Sequence, residues 1–417
     1  MPADREDRFD RAQARVMWVL WLSYGAFYFC RNNLSAAVPG MQVELGLSKA
    51  EIGAILGALK ISYGIGQLVN GQIAERIGAR RLLAIGMLVS AGLNVLFGLA
   101  TGFYFLLFIW ACNGYFQALG WPPTMRVAAA WFPPTMRGRA ISVIGTGYQL
   151  AGSLTFLIAG WSAEWFGWRG ALFVPSLLLV AGAAVMLATL REEPDPDSVP
   201  VGMPPRVSAA SQGSWVVTVG QTLSNPRLWL LAIPLGLLNV CRYGFVDWGI
   251  AHLMEVQSSG VGVSALKYSV LPLGGITGTL LAGWATDRFF GGRRVPVICA
   301  MLVALALLTL GYDALVQTNP ILSIITLGLI GAMVFGPQVL LVGTAPVDLA
   351  RHGTAAAAVG FVNFFGYLGA AAGDQITGYL VDRYDWHAAI YFWAGCALAA
   401  ALIAAPLWRA IAEHAER

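Results

Sequence analysis

The sequence predicts an all-α membrane protein in which twelve transmembrane helices form two pseudo-symmetric six-helix halves. Three observations predict this fold class: an apolar composition, twelve apolar stretches of membrane-spanning length, and motifs that recur between the halves. Hydrophobic residues make up 57% of the 417 residues and charged residues only 12%, whereas a soluble domain carries about 25% charged residues. A mean hydropathy of +0.66 agrees with a chain that crosses the membrane many times.

Twelve stretches are long enough to span a bilayer, because a helix needs roughly 20 residues to cross the hydrocarbon core. We predict these spans at residues 16–39, 50–73, 81–101, 103–131, 139–163, 169–190, 228–252, 265–286, 295–316, 319–346, 354–380 and 387–408. The longest polar segment lies between the sixth and seventh spans and contains several prolines. The predicted organisation is an N-terminal half (1–190), a linker (191–227) and a C-terminal half (228–417).

The first and seventh spans each carry an arginine, Arg31 and Arg242, and a cysteine precedes each one. A charge near the bilayer centre costs at least ~2.5–3.5 kcal/mol on insertion scales, so such residues usually face the bundle interior. A guanidinium binds carboxylate or phosphate through two parallel hydrogen bonds. One arginine in each half therefore predicts a single anion site between the halves. Tyr24 and Tyr28 lie on the helical face of Arg31 and either donate to an anion or pack.

The second span carries Lys60, ten residues from its end. That separation is ~15 Å along a helix, which is too long for the ammonium to reach water easily. We therefore expect Lys60 to face the cavity, and a lysine that extends to the membrane surface is the alternative.

The second and eighth spans end in the same motif. Gly71–Arg76 (GQIAER) recurs as Gly283–Arg288 (GWATDR), and repeats in the same order predict parallel halves with a site near the membrane midplane. The glycine lets helices approach closely, and the charged residues can lock one conformation; positive charge that only sets topology is the alternative. The expected gating residues are Gly71, Glu75, Arg76, Arg80, Gly283, Asp287, Arg288, Arg137 and Arg351.

The fourth span contains two adjacent prolines, Pro122 and Pro123, which break the helical ladder and bend the helix. Gln117 and Trp121 precede them and can line a cavity or pack. The tenth span has Gly336-Pro337 at the matching place.

Two acidic residues lie within apolar stretches of the second half. Asp247 follows Arg242 by five residues and could brace it. Asp374 could carry a coupling proton, although an interhelical or helix-end hydrogen bond is the stronger interpretation.

Charge predicts the orientation of the spans. Only Lys49, Arg169, Lys267 and Arg383 fall in the odd-numbered loops, while most of the 26 lysines and arginines lie at the termini and in the even-numbered loops. The positive-inside rule then places both termini and the linker in the cytoplasm. A cleavable signal peptide is not expected. Its apolar core is about 7–15 uncharged residues, whereas the first apolar run of this chain is longer and contains Arg31.

Several other classes are excluded. The five cysteines are odd in number and scattered, which argues against a disulfide framework and a zinc site. The four histidines show no ligand spacing, so we expect neither metal nor cofactor. The basic residues are spread over short loops, so nucleic-acid binding is not expected. No Walker, HExxH or GxSxG sequence occurs, which argues against an enzyme.

Four segments in combination carry a family resemblance: YGAFYFCRNN (residues 24–33), GYFQALGWPP (114–123), RYGFVDW (242–248) and the stretch 353–369 with its GYLG. On these segments the chain resembles the organophosphate:phosphate antiporter family of the major facilitator superfamily, especially its glycerol-3-phosphate transporters. The likeness runs in order over nearly the whole chain. It implies that Arg31 and Arg242 bind a phosphate group while the halves rock around it.

The chain departs from the family at three positions. Asn32 follows the first arginine, where the family often has lysine. Gln67 stands in place of a second-span lysine, and Tyr148 in place of a fifth-span histidine. The expected substrate-binding residues are Arg31, Arg242, Lys60, Tyr24, Tyr28, Tyr63, Gln117, Trp121, Tyr148, Asn239, Asn363 and Tyr367.

The expected function is exchange of a small organic phosphate or phosphonate for inorganic phosphate by a monomer in the inner membrane. Two alternatives stay open: a proton-coupled organic-anion symporter that uses Asp374, and a non-transporting membrane sensor of a phosphorylated ligand.

Overall fold

The computed structural model describes residues 2–195, 220–350 and 355–409. Within these ranges every regular element is a helix, and helical units follow one another in the order of the twelve predicted spans. Nine segments of the described chain are long and apolar enough to cross a membrane. The predicted all-α fold class is confirmed. Residues 196–219, most of the predicted linker, lie outside the described ranges.

The first half contains six helical units, two of them broken. Their helices are α1 (Pro2–Ala26), a 3-10 turn (Phe27–Cys30), α2 (Leu34–Leu45), α3 (Lys49–Ile77), α4 (Ala79–Leu99), α5 (Phe103–Gln117), α6 (Trp121–Trp131), α7 (Pro134–Phe166) and α8 (Gly170–Thr189).

The second half also contains six helical units, although the breaks do not all fall in matching units. Its helices are α9 (Pro226–Gln257), α10 (Val261–Tyr268), α11 (Val270–Phe290), α12 (Arg294–Leu315), α13 (Pro320–Val339), a π-helical segment (Leu340–Thr344), α14 (Ala345–Asp348), α15 (Ala355–Arg383), α16 (Trp386–Ala404) and a 3-10 turn (Ala405–Leu407).

The predicted helix breaks are present in the fourth and tenth units. The fourth unit is interrupted between α5 and α6, directly before Pro122 and Pro123 at the start of α6. In the tenth unit, Pro337 lies in the last turn of α13, and the π-helical segment follows. Since proline removes a backbone donor, it favours such irregular turns.

The first unit is also broken, which the sequence did not predict. Its 3-10 turn ends at Cys30, and the Cys30 carbonyl lies outside the regular ladder. A freed backbone group inside a membrane must find a partner within the protein. Asn113 Nδ2 donates to this oxygen at 2.9 Å, Asn94 Nδ2 at 3.2 Å and Gln117 Nε2 at 3.3 Å. The break is therefore stabilised by three amide side chains from α4 and α5.

The two halves contact each other closely on the side opposite the termini, which we call the distal side; the other is the terminal side. There Lys49 Nζ lies 2.9 Å from Glu255. The Asp382 carboxylate accepts hydrogen bonds from the backbone N–H groups of Lys49 (3.1 Å) and Ala50 (2.7 Å). Helices α3 and α15 also pack tightly, because a Cβ added at Gly53 would lie 2.5 Å from the Asp374 carbonyl oxygen. The distal side is closed.

Candidate anion site between the halves

Arg31 is held at the break in the first unit. Its side chain is 6% exposed. Its Nε donates to Gln117 Oε1 at 3.1 Å. The guanidinium carbon also lies 4.5 Å from the ring centre of Tyr28 and 4.4 Å from that of Tyr63. Aromatic faces attract a cation but leave the charge uncompensated.

Gln117 orients this guanidinium. Its Nε2 donates to Ser90 Oγ at 2.7 Å and to the Phe27 carbonyl at 3.0 Å. With the amide nitrogen fixed in this way, Oε1 faces Arg31. Gln117 therefore acts on the site through Arg31.

Arg242 is held by aromatic side chains of the second half. Its guanidinium carbon lies 4.7 Å from the ring centre of Tyr243 and 5.0 Å from that of Phe335. Nη1 donates to the Tyr243 hydroxyl at 3.4 Å, and Nε has no hydrogen-bond partner among the described residues.

The contacts around the two arginines close into a ring, which we call the anion ring. Between Arg31 and Arg242 on one side, the centroid distances are 4.6 Å for Tyr63–Tyr367 and 6.4 Å for Tyr243–Tyr367. On the other side they are 5.2 Å for Tyr28–Tyr148 and 6.4 Å for Tyr148–Phe335. The anion ring consists of Arg31, Tyr63, Tyr367, Tyr243, Arg242, Phe335, Tyr148 and Tyr28.

Both halves build the anion ring, and across the described part of the chain no carboxylate forms an ion pair with Arg31 or Arg242. A buried charge is costly unless an opposite charge pairs with it. The arrangement therefore favours an anion that both guanidiniums can reach.

The remaining predicted substrate residues have different surroundings. Tyr24 packs on Trp121 with ring centroids 4.8 Å apart and also contacts Tyr28 and Tyr148. Asn239 Nδ2 donates to the Gly366 carbonyl at 2.9 Å, while its Oδ1 meets no donor from the described residues. Asn363 is half-buried on α15.

Lys60 lies in a buried cluster of three charges. Its ammonium forms ion pairs with Asp247 and Asp374, so one cation from the first half meets two carboxylates from the second. Lys60 Nζ also lies 4.7 Å from the ring centre of Tyr243, which Arg242 contacts as well. Asp247 thus pairs with Lys60. The sequence suggested that Asp247 could instead brace Arg242, but no ion pair between Asp247 and Arg242 occurs among the described residues. Tyr243 connects this charge cluster to the anion ring.

The described gating residues lie on the terminal side. Arg294 Nε pairs with Asp348 at 3.3 Å and its Nη1 with Asp287 at 3.5 Å. Arg80 donates to the Leu187 carbonyl, and Arg288 is exposed. In this conformation the close helix approach expected at Gly283 is not made, because no described atom lies within 4 Å of an added Cβ. The environments of Gly71, Glu75, Arg76, Arg137 and Arg351 lie outside what the structure describes.

Sequence reasoning missed the amide cluster that supports Arg31. Asn94 and Asn113 are fully buried, and Ser90 Oγ donates to Asn113 Oδ1 at 2.5 Å. The sequence did contain a clue to this cluster, since both asparagines are strong hydrogen-bonding residues inside apolar stretches. It could not be assigned without the unpredicted break at Cys30.

A sequence profile of the Major Facilitator Superfamily matches residues 20–374. Among solved structures, the nucleoside transporter NupG shares the fold with a TM-score of 0.71 at 15% identity, covering 95% of this chain and 99% of that one. A bacterial homologue of the human lysosomal transporter Spinster does so with a TM-score of 0.73 at 16% identity, covering 95% of each chain. The chain belongs to this superfamily and is a multi-pass membrane transporter, not an enzyme.

Comparison with related proteins identifies a family within this superfamily. The chain is 30% identical to the glycerol-3-phosphate transporter of Bacillus subtilis, over 95% of this chain and 92% of the relative. It is 29% identical to a probable hexose phosphate transport protein of Chlamydia trachomatis (95% and 91%) and 27% identical to the membrane sensor protein UhpC of Escherichia coli (91% and 88%). Within the superfamily, the chain belongs to the organophosphate:phosphate antiporter family.

Proposed function

We propose that this protein exchanges a small organic phosphate or phosphonate for inorganic phosphate across the bacterial inner membrane. The anion ring carries the proposal, since it presents two buried guanidiniums, one from each half, that pair with no carboxylate of the described chain. A phosphate dianion matches two guanidiniums in charge and accepts their paired hydrogen bonds. The relatives named for glycerol-3-phosphate and hexose phosphate support the substrate class.

In this proposal, different residues bind the phosphate and the organic part of the substrate. Arg31 and Arg242 hold the phosphate, and the hydroxyls of Tyr28, Tyr63, Tyr148 and Tyr367 donate to its oxygens. The organic part is recognised by Tyr24, Trp121, Asn239 and Asn363, while Gln117 orients Arg31. One chain supplies every member of the ring, which supports a monomeric transporter.

Transport proceeds by alternating access, with residues 1–190 and 228–417 rocking as two halves joined by residues 191–227. By the positive-inside rule, the basic residues of the terminal side support a cytoplasmic location for it. With the distal side closed, the described conformation is then closed towards the outside. The charged terminal-side loops lock the opposite conformation through Gly71, Glu75, Arg76, Arg80, Gly283, Asp287, Arg288, Arg137 and Arg351.

Lys60 connects substrate binding to this movement. It joins the halves through Asp247 and Asp374 and shares Tyr243 with Arg242. An anion in the ring attracts the ammonium and competes with the two carboxylates for it. Binding then weakens a contact that must break before the distal side opens.

Exchange, rather than one-way transport, follows from the charges of the anion ring. Closing the empty site brings two buried cations together with no anion between them, which is costly at low dielectric constant. An anion removes this cost, so the loaded carrier crosses more readily than the empty one.

Ligand binding tests the proposed substrate class. We expect inorganic phosphate, phosphate esters and phosphonates to raise the melting temperature of the purified protein, because a ligand of the folded state stabilises it. Phosphate and an ester should compete for a single site. Equal stabilisation by simple carboxylates, with none from phosphate, would contradict the proposal.

Two alternatives have support of their own. Asp374 is fully buried beside Lys60 and could carry a proton in a symporter. The 27% identity to a membrane sensor supports a non-transporting sensor of a phosphorylated ligand. Uptake driven by a proton gradient without internal phosphate would indicate the symporter, and intact ligand binding without transport would indicate the sensor.

A further inference from the structure

A cavity of about 250 Å³ lies on the terminal side of the first half, away from the anion ring. It is formed where the start of α1 meets the chain that follows α8. Four of its lining residues are arginines: Arg8, Arg11, Arg15 and Arg191. We call it the arginine cavity.

The walls of the arginine cavity are fixed by contacts with Trp131 at the end of α6. Phe9 stacks on the Trp131 ring with centroids 5.9 Å apart, and Gln13 Nε2 donates to the Trp131 carbonyl at 2.7 Å. Trp131 Nε1 in turn donates to the Arg191 carbonyl at 3.0 Å. These contacts hold α1 against the chain after α8, so the arginines converge on one space.

The charge of the cavity suits an anion. For the guanidiniums of Arg15 and Arg191, the structure records no hydrogen bond or ion pair with any described residue. A guanidinium pairs well with phosphate because its planar fork matches two phosphate oxygens. The arginine cavity therefore has the chemistry of a phosphate site.

The arginine face of α1 continues as an exposed apolar face. Arg11 and Arg15 are followed at helical spacing by Trp18 and Leu22, which lie on the same stripe of the helix. Trp18 is 55% exposed and Leu22 is 42% exposed. Tryptophan is typical of the membrane–water interface. The stripe thus passes from guanidiniums to lipid-facing surface in about three turns.

We propose that the arginine cavity binds the phosphate headgroup of an anionic phospholipid, whose acyl chains lie along Trp18 and Leu22. Basic pockets at the ends of transmembrane helices are suited to such headgroups. A free phosphate would use the same guanidiniums but would gain nothing from the apolar stripe. The site shares no residue with the anion ring, so it does not depend on the proposed function.

Lipid binding to the purified full-length protein in neutral detergent tests this proposal. We expect phosphatidylglycerol to raise the melting temperature and to appear as a bound lipid in native mass spectrometry, while phosphatidylcholine does neither. The double variant Arg15→Gln/Arg191→Gln should bind phosphatidylglycerol roughly 30-fold more weakly, because each arginine near the surface contributes about a fivefold gain. Arg139→Gln, an exposed arginine on the same side but outside the cavity, should leave binding unchanged.

Inorganic phosphate separates the two sources of the anion, and a cooperative melting transition reports on folding. Stabilisation by phosphate should be the same in the wild type and the double variant. Loss of phosphate stabilisation in a folded double variant would assign the cavity to a free anion and overturn the lipid proposal. Unchanged phosphatidylglycerol binding by the double variant would also overturn it. Arg15→Lys/Arg191→Lys, which keeps the charge, should weaken binding less than the glutamine variant.

Discussion

At the scale of single residues, the geometry of two guanidiniums matters more than their charge. Arg31 is fixed by Gln117 and by the rings of Tyr28 and Tyr63. Arg242 is fixed by Tyr243 and Phe335. Such contacts use the faces and edges of a planar group, which a lysine ammonium cannot reproduce.

Replacing either arginine by lysine tests this geometry. We expect Arg31→Lys and Arg242→Lys each to reduce transport at least about 100-fold, since a bidentate charge-assisted pair is lost, while the protein still inserts and folds. Transport by reconstituted protein is the measurement, and Arg139→Lys is the matched control on an exposed arginine. Near-normal exchange by both variants would contradict the two-arginine site.

Lys60 has two proposed roles, one in stability and one in substrate binding, and each can be measured separately. Lys60→Gln leaves two buried carboxylates without their cation, so we expect a loss of about 3–5 kcal/mol in stability. Adding Asp374→Asn to this variant should restore part of that loss. Thermal unfolding measures both.

The substrate part of Lys60 is measured by affinity. We expect Lys60→Gln to weaken the binding of dianionic substrates more than that of monoanions, because it removes one cation near the anion ring. An equal loss for both, or no loss, would make Lys60 a purely structural residue.

At the scale of helices, the break in the first unit and the contact between α3 and α15 position the site. The break brings Arg31 towards Gln117, and amide side chains compensate the freed Cys30 carbonyl. The α3–α15 contact closes the distal side above the charge cluster.

The amide cluster predicts a stability difference between two asparagines. Asn113→Ala removes the 2.9 Å bond to the Cys30 carbonyl and the partner of Ser90. A buried hydrogen-bonding group left without its partner costs about 1–3 kcal/mol, so the melting temperature should fall. Asn363→Ala, at a half-buried position on α15, should leave it nearly unchanged. Equal melting temperatures for both variants would remove the structural role assigned to Asn113.

The α3–α15 contact predicts a conformational effect of one methyl group. In Gly53→Ala the new Cβ meets the Asp374 backbone, so we expect the distal side to open more often. Spin labels at exposed Val43 and Tyr384, one in each half, should then report longer distances. Gly92→Ala, with open space around the added Cβ, is the matched control; a similar shift in both variants would contradict the tight contact.

At the scale of the whole molecule, the sequence predicted the helical units and the buried charged residues. Apolar length located the helical units, and the expense of a buried charge identified Arg31, Arg242 and Lys60. The side chains that contact these charged residues could not be predicted, because the contacts depend on how helices from different halves meet. The pairing of Lys60 with Asp247 and Asp374 joins α3, α9 and α15, and the anion ring joins six units; neither follows from spacing along one helix.

The central claim is that one anion site, built by both halves, exchanges an organic phosphate for inorganic phosphate. Uptake of labelled phosphate into liposomes that contain the purified protein tests it most directly. We expect rapid uptake into liposomes loaded with phosphate or with a transported ester, poor uptake into empty liposomes, and no rescue of empty liposomes by a proton gradient. Strong uptake into phosphate-free liposomes driven by an inward proton gradient, and lost in Asp374→Asn, would contradict the exchange mechanism.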